Sequence, residues 1–367
     1  MRPIDGPQTA EIVVDGRPSI NFCSNNYLGL ADHPALIAAA RDAMEREGFG
    51  AGASRLIVGN LTAHRRLEDH IATWKRTDAA LLFNSGYHAN VGVVSALAGP
   101  EDAIYSDALN HASLIDGSRL SRATVHVYPH LDLGTLAELL QGGRHHRRRL
   151  ILTDAVFSMD GDQAPLADLV RLARRYDALL LVDEAHAAGV LGEGGAGPTL
   201  GLGIDVQIGT FGKALGGFGA YVAASAPLID YLVQRARSFV FTTALPVPVA
   251  AAATAALDLV QGDEGQRRRA ALIRVCARFH AGLQKLHLPA PVSPSHIVPI
   301  LVGDPERTMT LSENLLARGI YVQGIRPPTV SPGTARLRFT LMATHTDDHI
   351  DRALAALAEL RHHLPPA

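Results

Sequence analysis

Short apolar runs alternating with helical patterns constrain this chain more than any other feature. AALLF (79–83), TVHVY (124–128), RLILTDA (149–155), ALLLVDE (178–184), VQIGT (206–210) and AYVAA (220–224) have the length and continuous hydrophobicity of buried strands. PALIAAARDAMEREG (34–48) and TAHRRLEDHIATWKR (62–76) carry apolar residues at helical spacing and bracket a glycine-rich turn, GFGAGASRLIVGN. This alternation predicts an α/β fold with a mostly parallel sheet covered by helices. Beyond the polar segment QGDEGQRRRA (261–270) the order changes to a long helix, a strand at HIVPILVG, a helix through ERTMTLSENLLARG, strands near IYVQGI and ARLRFTL, and a closing helix, DDHIDRALAALAELRHH. That order suits a smaller α+β domain. The expected division is an N-terminal segment, 1–28, a large domain, 29–260, and a small C-terminal domain, 261–367.

Composition narrows the partners. A formal net charge of -2 and an isoelectric point near 6.8 give no electrostatic reason to expect nucleic acid or an anionic membrane. The two cysteines, Cys23 and Cys276, stand far apart and outside any metal-ligand spacing, so neither a disulfide framework nor a zinc site is suggested. With no long apolar span and no secretory leader in MRPIDGPQTAEIVVDG, a cytoplasmic protein is expected. The basic patch RHHRRR (144–149) reads as a solvated loop, with an anion or acyl-carrier contact as the alternative.

The stretch LLLVDEAHAAGVLG (179–192) poses the functional question: what does the acid of VDEAH hold? A nucleotide-driven motor requires G-x-x-x-x-G-K-[ST], because backbone amides wrap the phosphates and the hydroxyl after the lysine binds magnesium. The sole Gly-Lys pair, Gly212-Lys213, has Gln207 where the first glycine belongs and is followed by Ala214. It also lies after VDEAH rather than before it. A carboxylate holding an organic cation fits better, since Asp183 ends a buried strand, where ligands of open α/β sheets bind and where an unpaired charge would be costly.

A lysine amine to hold such a ligand has few sources. Only Lys75, Lys213 and Lys285 are lysines; the first and last lie in amphipathic helical patterns and read as solvated side chains. Lys213 sits in GTFGKALGGFGAY, a turn of glycines and small residues that admits a flat ligand, which makes it the Schiff-base candidate. FNSGYHAN (83–90) supplies a strand end and a helix start whose amides at Ser85, Gly86 and Tyr87 form a natural phosphate cradle. His111, before another helix in SDALNHASLIDG, can stack on an aromatic ring; Ser158 and His186 can each hydrogen-bond a phenolate oxygen. Lysine amine, ring-nitrogen carboxylate, stacking imidazole and phosphate cradle together describe a pyridoxal 5'-phosphate site.

These motifs, in order with NFCSNNYLGL, GAGASRL, VFSMDGDQAPL, SFVFTTALP and IRPPTVSPGTARLRFTL, resemble the α-oxoamine synthases of pyridoxal-phosphate fold type I over about residues 21–360. The resemblance implies a decarboxylative acyltransferase, and IRPPTV followed by RLRFTL is most similar to the branch that joins L-alanine to a pimeloyl thioester of coenzyme A or acyl carrier protein in biotin synthesis. Another amino donor, glycine or serine, another acyl thioester, and a cofactor-binding protein without turnover are the alternatives. It further implies that Lys213 carries the cofactor as a Schiff base, that Asp183 binds the pyridine nitrogen, that His111 stacks on the ring, and that Ser158 and His186 flank the phenolate oxygen. Gly86, Tyr87 and Thr210 would hold the phosphate, joined by Thr242 or Thr243 from a second copy in a homodimer with shared sites. Arg338 would clamp the amino-acid carboxylate, with Asn25 nearby and Arg326 as a second contact. Three features depart from the family pattern: the chain starts at Met1-Arg2-Pro3 where relatives carry a further helix, leaving Arg2 as the nearest arginine; Asn26 replaces an acid; and Ala187 and Ala188 stand where small hydroxyl or glycine residues are common.

Overall fold

The computed structural model describes residues 2–288 and 295–364. The chain forms two compact units: one comprises residues 34–157 and 163–262, the other the residues up to 33, 158–162, and those from 263 onward.

The larger unit is built on a seven-stranded sheet in the order Ala79–Phe83, Ala220–Ala224, Val206–Thr210, Leu179–Asp183, Arg149–Asp154, Ala103–Asp107 and Thr124–Tyr128. Only Ala220–Ala224 runs antiparallel to its neighbours; the other pairings are parallel. The strand Ala103–Asp107, with the mixed sequence AIYSD, is an addition to the sequence expectation: polar Ser106 and Asp107 break the apolar run that marks its neighbours, yet all five residues are buried. Leu181, Val206, Ile208 and Val222 fill the core with Val93, Val94 and Leu97 from the covering helix Gly86–Leu97. Strands buried on both faces need such continuous apolar sequence, and parallel pairing needs a helical return between them. The helix Leu166–Arg175 supplies one, burying Leu166, Leu169, Val170 and Ala173 on one face.

The smaller unit contains a four-stranded sheet ordered Ile4–Asp5, Glu11–Val14, Arg17–Asn21 and Ile320–Tyr321, and a three-stranded antiparallel sheet ordered Ile297–Gly303, Ala335–Thr340 and Gln323–Ile325. The segment IYVQGI, which reads as one strand, is thus split between two sheets at Val322. Parallel pairing of Ile320 with Ile20 and of Tyr321 with Asn21 ties the beginning of the chain to its last third. Arg2 is committed to ion pairs with Asp15 at 2.6 Å and Glu313 at 2.5 Å.

Asn26 explains its own departure from the family acid. Its Oδ1 accepts from the Leu30 N–H at 2.8 Å and the Ala31 N–H at 3.2 Å, while its Nδ2 donates to the Gln8 carbonyl at 2.9 Å. A carboxylate has no donor for that carbonyl. Asn26→Asp is expected to lower stability by about 1–3 kcal/mol, read as a fall in the urea midpoint; an unchanged midpoint would contradict this account.

Phe22, Phe279, Phe339 and His345 pack as an aromatic core, with His345 4.5 Å from the Phe22 ring. His345 Nδ1 accepts from Met342 N–H at 3.0 Å, and Nε2 donates to the Asn21 carbonyl at 3.0 Å. Burial first, then His349, pushes the imidazole down to about 3 from its ordinary 6.5, although the Asn21 carbonyl opposes this. The unfolded chain therefore binds a proton that the folded chain refuses between those values. Folding stability is expected to fall as pH drops from about 6.5 toward about 3, and His345→Gln should flatten that slope in urea titrations across the range.

Candidate active site

All the parallel strands of the larger unit deliver their carboxyl ends to one edge of the sheet, and that edge gathers most of the expected residues. Asp183 closes Leu179–Asp183 and is buried; Oδ2 accepts from the Asn90 side-chain amide at 2.6 Å and Oδ1 from the Ala185 N–H at 2.8 Å. His186, three residues on and also buried, approaches Lys213 Nζ through Nε2 at 2.9 Å. Lys213 follows the strand Val206–Thr210, and the Thr210 hydroxyl donates to Gly219 O at 2.8 Å while accepting from the Gly212 N–H at 3.1 Å. The lysine turn is thereby closed by its own backbone.

The helix Gly86–Leu97 starts at the end of Ala79–Phe83, with the Ser85 hydroxyl accepting from the His88 N–H at 3.2 Å. The amides of Gly86 and Tyr87 lie in the first turn, where no intrahelical acceptor exists, and space around Gly86 is open. Asn84 Nδ2 donates to Thr242 Oγ1 at 3.0 Å and to Thr243 O at 2.9 Å, so both threonines stand beside this turn of their own chain. His111 caps the helix Ala112–Ser121; its Nδ1 accepts from the Ser113 N–H at 3.2 Å and meets Ser113 Oγ at 2.7 Å, while its backbone N–H donates to Asp154 Oδ2 at 3.0 Å. Desolvation and the Lys213 charge push His111 below the ordinary imidazole value, against the pull of Asp183 and Asp116, which favours a neutral ring.

The residues Asn25, Ser158, Arg326 and Arg338 belong to the other unit. Arg338, buried in the strand Ala335–Thr340, donates through Nε to the Ser158 carbonyl at 2.5 Å and through both terminal nitrogens to Asn25 Oδ1 at 3.4 Å. Tyr27 OH also donates to Asn25 Oδ1 at 3.1 Å, and burial pushes its phenol up to about 12 despite the nearby guanidinium. Arg326 is exposed just beyond Gln323–Ile325, while Arg338 registers opposite Gln323, so the two arginines are not brought together along the strand pair.

Lys75 corrects the sequence expectation. Far from being solvated, its ammonium is fully buried, bonded to Glu184 Oε2, the Ala196 carbonyl and, at 3.0 Å, Thr199 Oγ1. Its helix ends against the turn that follows VDE, so the apolar stem is packed and the charge finds Glu184, next in sequence to Asp183. Amphipathic spacing alone could not reveal this, because Lys75 sits at the helix terminus. RHHRRR is likewise more than a solvated loop: buried Arg149 holds the carbonyls of Tyr176 at 2.9 Å and His146 at 3.0 Å, and Arg147 clamps Asp102 through two nitrogens at 3.0 and 2.9 Å.

Sequence reasoning also passed over Asn90 and Asp154. The first had a signal, since Asn90 lies one helical turn beyond Gly86. The second had one too: RLILTD ends in aspartate at the same place as LLLVD.

Pyridoxal phosphate fits these groups: an aspartate with two N–H donors for a cationic ring nitrogen, an amine, a neutral imidazole, and helix-start amides for an anion. The aminotransferase class I and II family model matches residues 17–357. The chain is 54% identical over 364 residues to an 8-amino-7-oxononanoate synthase of Geobacter sulfurreducens, covering 98% of this chain and 93% of that protein. Among solved structures, SPT with PLP superposes with a TM-score of 0.94 at 30% identity, covering 99% of this chain and 93% of that one. An 8-amino-7-oxononanoate synthase from Francisella tularensis superposes with a TM-score of 0.81 at 30% identity, covering 94% and 98%.

Losing one partner of a buried ion pair typically costs about 3–5 kcal/mol. Lys75→Met is expected to cost that much in urea unfolding, and adding Glu184→Gln should recover part of it; a double variant whose loss equals the sum of the two single losses would show the two charges to be uncoupled.

Proposed function

Because the chain belongs to the aminotransferase class I and II family and, within it, to the pyridoxal-phosphate-dependent 8-amino-7-oxononanoate synthases of biotin synthesis, we propose that it condenses L-alanine with a pimeloyl thioester. Coenzyme A or an acyl carrier protein carries the acyl group. A carbon–carbon bond forms at the alanine α-carbon, the thiol leaves, and the alanine carboxylate departs as carbon dioxide. The observation carrying this reading is the Lys213 amine held 2.9 Å from His186, after the strand adjoining the one that ends in Asp183.

When bound, pyridoxal phosphate supplies an electron sink for negative charge at the α-carbon. Lys213 anchors it and takes the α-proton, returning one after carboxylate loss. Asp183, held by Asn90 and Ala185, would hold the ring nitrogen and favour its protonated form. His186 and Ser158 would hydrogen-bond the phenolate oxygen, and the neutral His111 imidazole would pack against the ring. Gly86, Tyr87 and Thr210 hold the phosphate, and Arg338, with Asn25 and Arg326, receives the substrate carboxylate.

The active assembly in this reading is a cytoplasmic homodimer in which Thr242 or Thr243 also serves the other copy's phosphate. Phe49, Leu56, Ile57, Val58, Phe218 and Phe241 support it as an exposed apolar set on the larger unit. Among the described residues no helix is long and apolar enough to cross a membrane.

Thiol release from pimeloyl-coenzyme A with L-alanine, glycine or L-serine tests the proposal. Release confined to alanine is expected, and Lys213→Ala should abolish it while some cofactor stays bound. The likeness to SPT makes serine the informative competitor; preferential release with serine would overturn the alanine assignment.

A further inference from the structure

The strand register sets a second carboxylate beside the one the proposed chemistry uses. Asp154 and Asp183 are direct partners across the parallel strands Arg149–Asp154 and Leu179–Asp183, so their side chains leave the sheet on the same face. Both are about 95% buried, at 4% and 5% exposure. Two carboxylates so placed do not both ionise cheaply.

The surrounding donors divide unequally between them. Asp183 takes the Asn90 amide at 2.6 Å and the Ala185 N–H at 2.8 Å. Asp154 takes the His111 backbone N–H at 3.0 Å. The other charged groups acting on Asp154 are Asp107, which ends the neighbouring strand, and Lys213, the one cation among them. Asp183 thus has two donors where Asp154 has one, and the excess of nearby carboxylates opposes ionisation of Asp154.

We propose that Asp154 is a positioning residue that stays a neutral carboxylic acid, fixing the His111 backbone and so the plane of its ring, and leaving Asp183 the only anion of the pair. This rests on the reading of His111 and Asp183 as cofactor residues. Burial first, then the charge of Asp183, pushes Asp154 well above the usual carboxylate range, outweighing Lys213 and the His111 N–H. An anionic Asp154 would instead set a second buried negative charge directly beside Asp183 and compete with it for the Lys213 charge. In its neutral form it keeps an acceptor for the His111 N–H without adding charge.

An amide has the same shape and neutrality, which makes Asp154→Asn the decisive variant. Infrared difference spectra between the wild-type apoprotein and Asp154→Asn at neutral pH should contain a carboxylic-acid C=O band that shifts in D2O. A difference confined to carboxylate bands would overturn the proposal. In the cofactor-loaded enzyme, Asp154→Ala should reduce thiol release about tenfold, equivalent to about 1.4 kcal/mol in the barrier, and Asp154→Asn should recover most of that loss. Asn performing no better than Ala would overturn it as well, because a required negative charge is the reading that outcome supports. The infrared result needs neither cofactor nor substrate, so a missing thiol signal beside an intact acid band would count against the synthase reading and not against the state of Asp154.

Discussion

Parallel strand direction is the constraint from which the larger unit follows. A parallel pair cannot be closed by a tight turn, so each strand is followed by a crossover that covers the sheet, and every strand then ends at the same edge. Phe83, Asp107, Asp154, Asp183 and Thr210 are five such ends. Turns leaving that edge carry the helix start at Gly86, the cap at His111, the VDEAH segment and the lysine turn. A site assembled from residues more than a hundred positions apart needs no further organising device.

Gathering polar groups at one buried edge creates an electrostatic problem, and the packing around VDEAH answers it. Asp183 is stabilised by Asn90 and Ala185; Glu184, pointing away into the core, is neutralised by Lys75 and by the Thr199 N–H at 3.1 Å. That arrangement leaves no room beside it. A Cβ at Gly197, where φ is +88°, would stand 2.0 Å from Glu184 Oε1, so glycine is required there on both conformational and steric grounds. The consecutive acids of VDEAH therefore have different partners: Asp183 is held by Asn90 and Ala185 at the candidate site's edge, and Glu184 anchors the turn beside it through Lys75 and Thr199.

Candidate residues marked by their local context were legible in the sequence. Lys213 stood out because lysine is rare in this chain and its turn is made of small residues; Asp183 because a charge closes an otherwise apolar strand; Gly86 and Tyr87 because a strand end runs directly into a helix. Residues whose role depends on a distant partner were not. Lys75 looks like any helix-terminal lysine until Glu184, 109 residues away, meets it. Asn26 is an unexplained amide until Gln8 places a carbonyl against it. Ala103–Asp107 lacks a continuous apolar run and becomes a strand because its neighbours on both sides offer parallel ladders.

By itself the sequence determined the α/β class, the family, and a set of candidate site residues, because periodicity, turn residues and motif order are local and survive without coordinates. Tertiary structure decided the pairings: which carboxylates share a face, which lysine is buried, and that residues 20–21 pair with residues 320–321 across the length of the chain. Those outcomes depend on strand register and on competition between burial and charge. Neither quantity exists until distant segments of the chain are in contact.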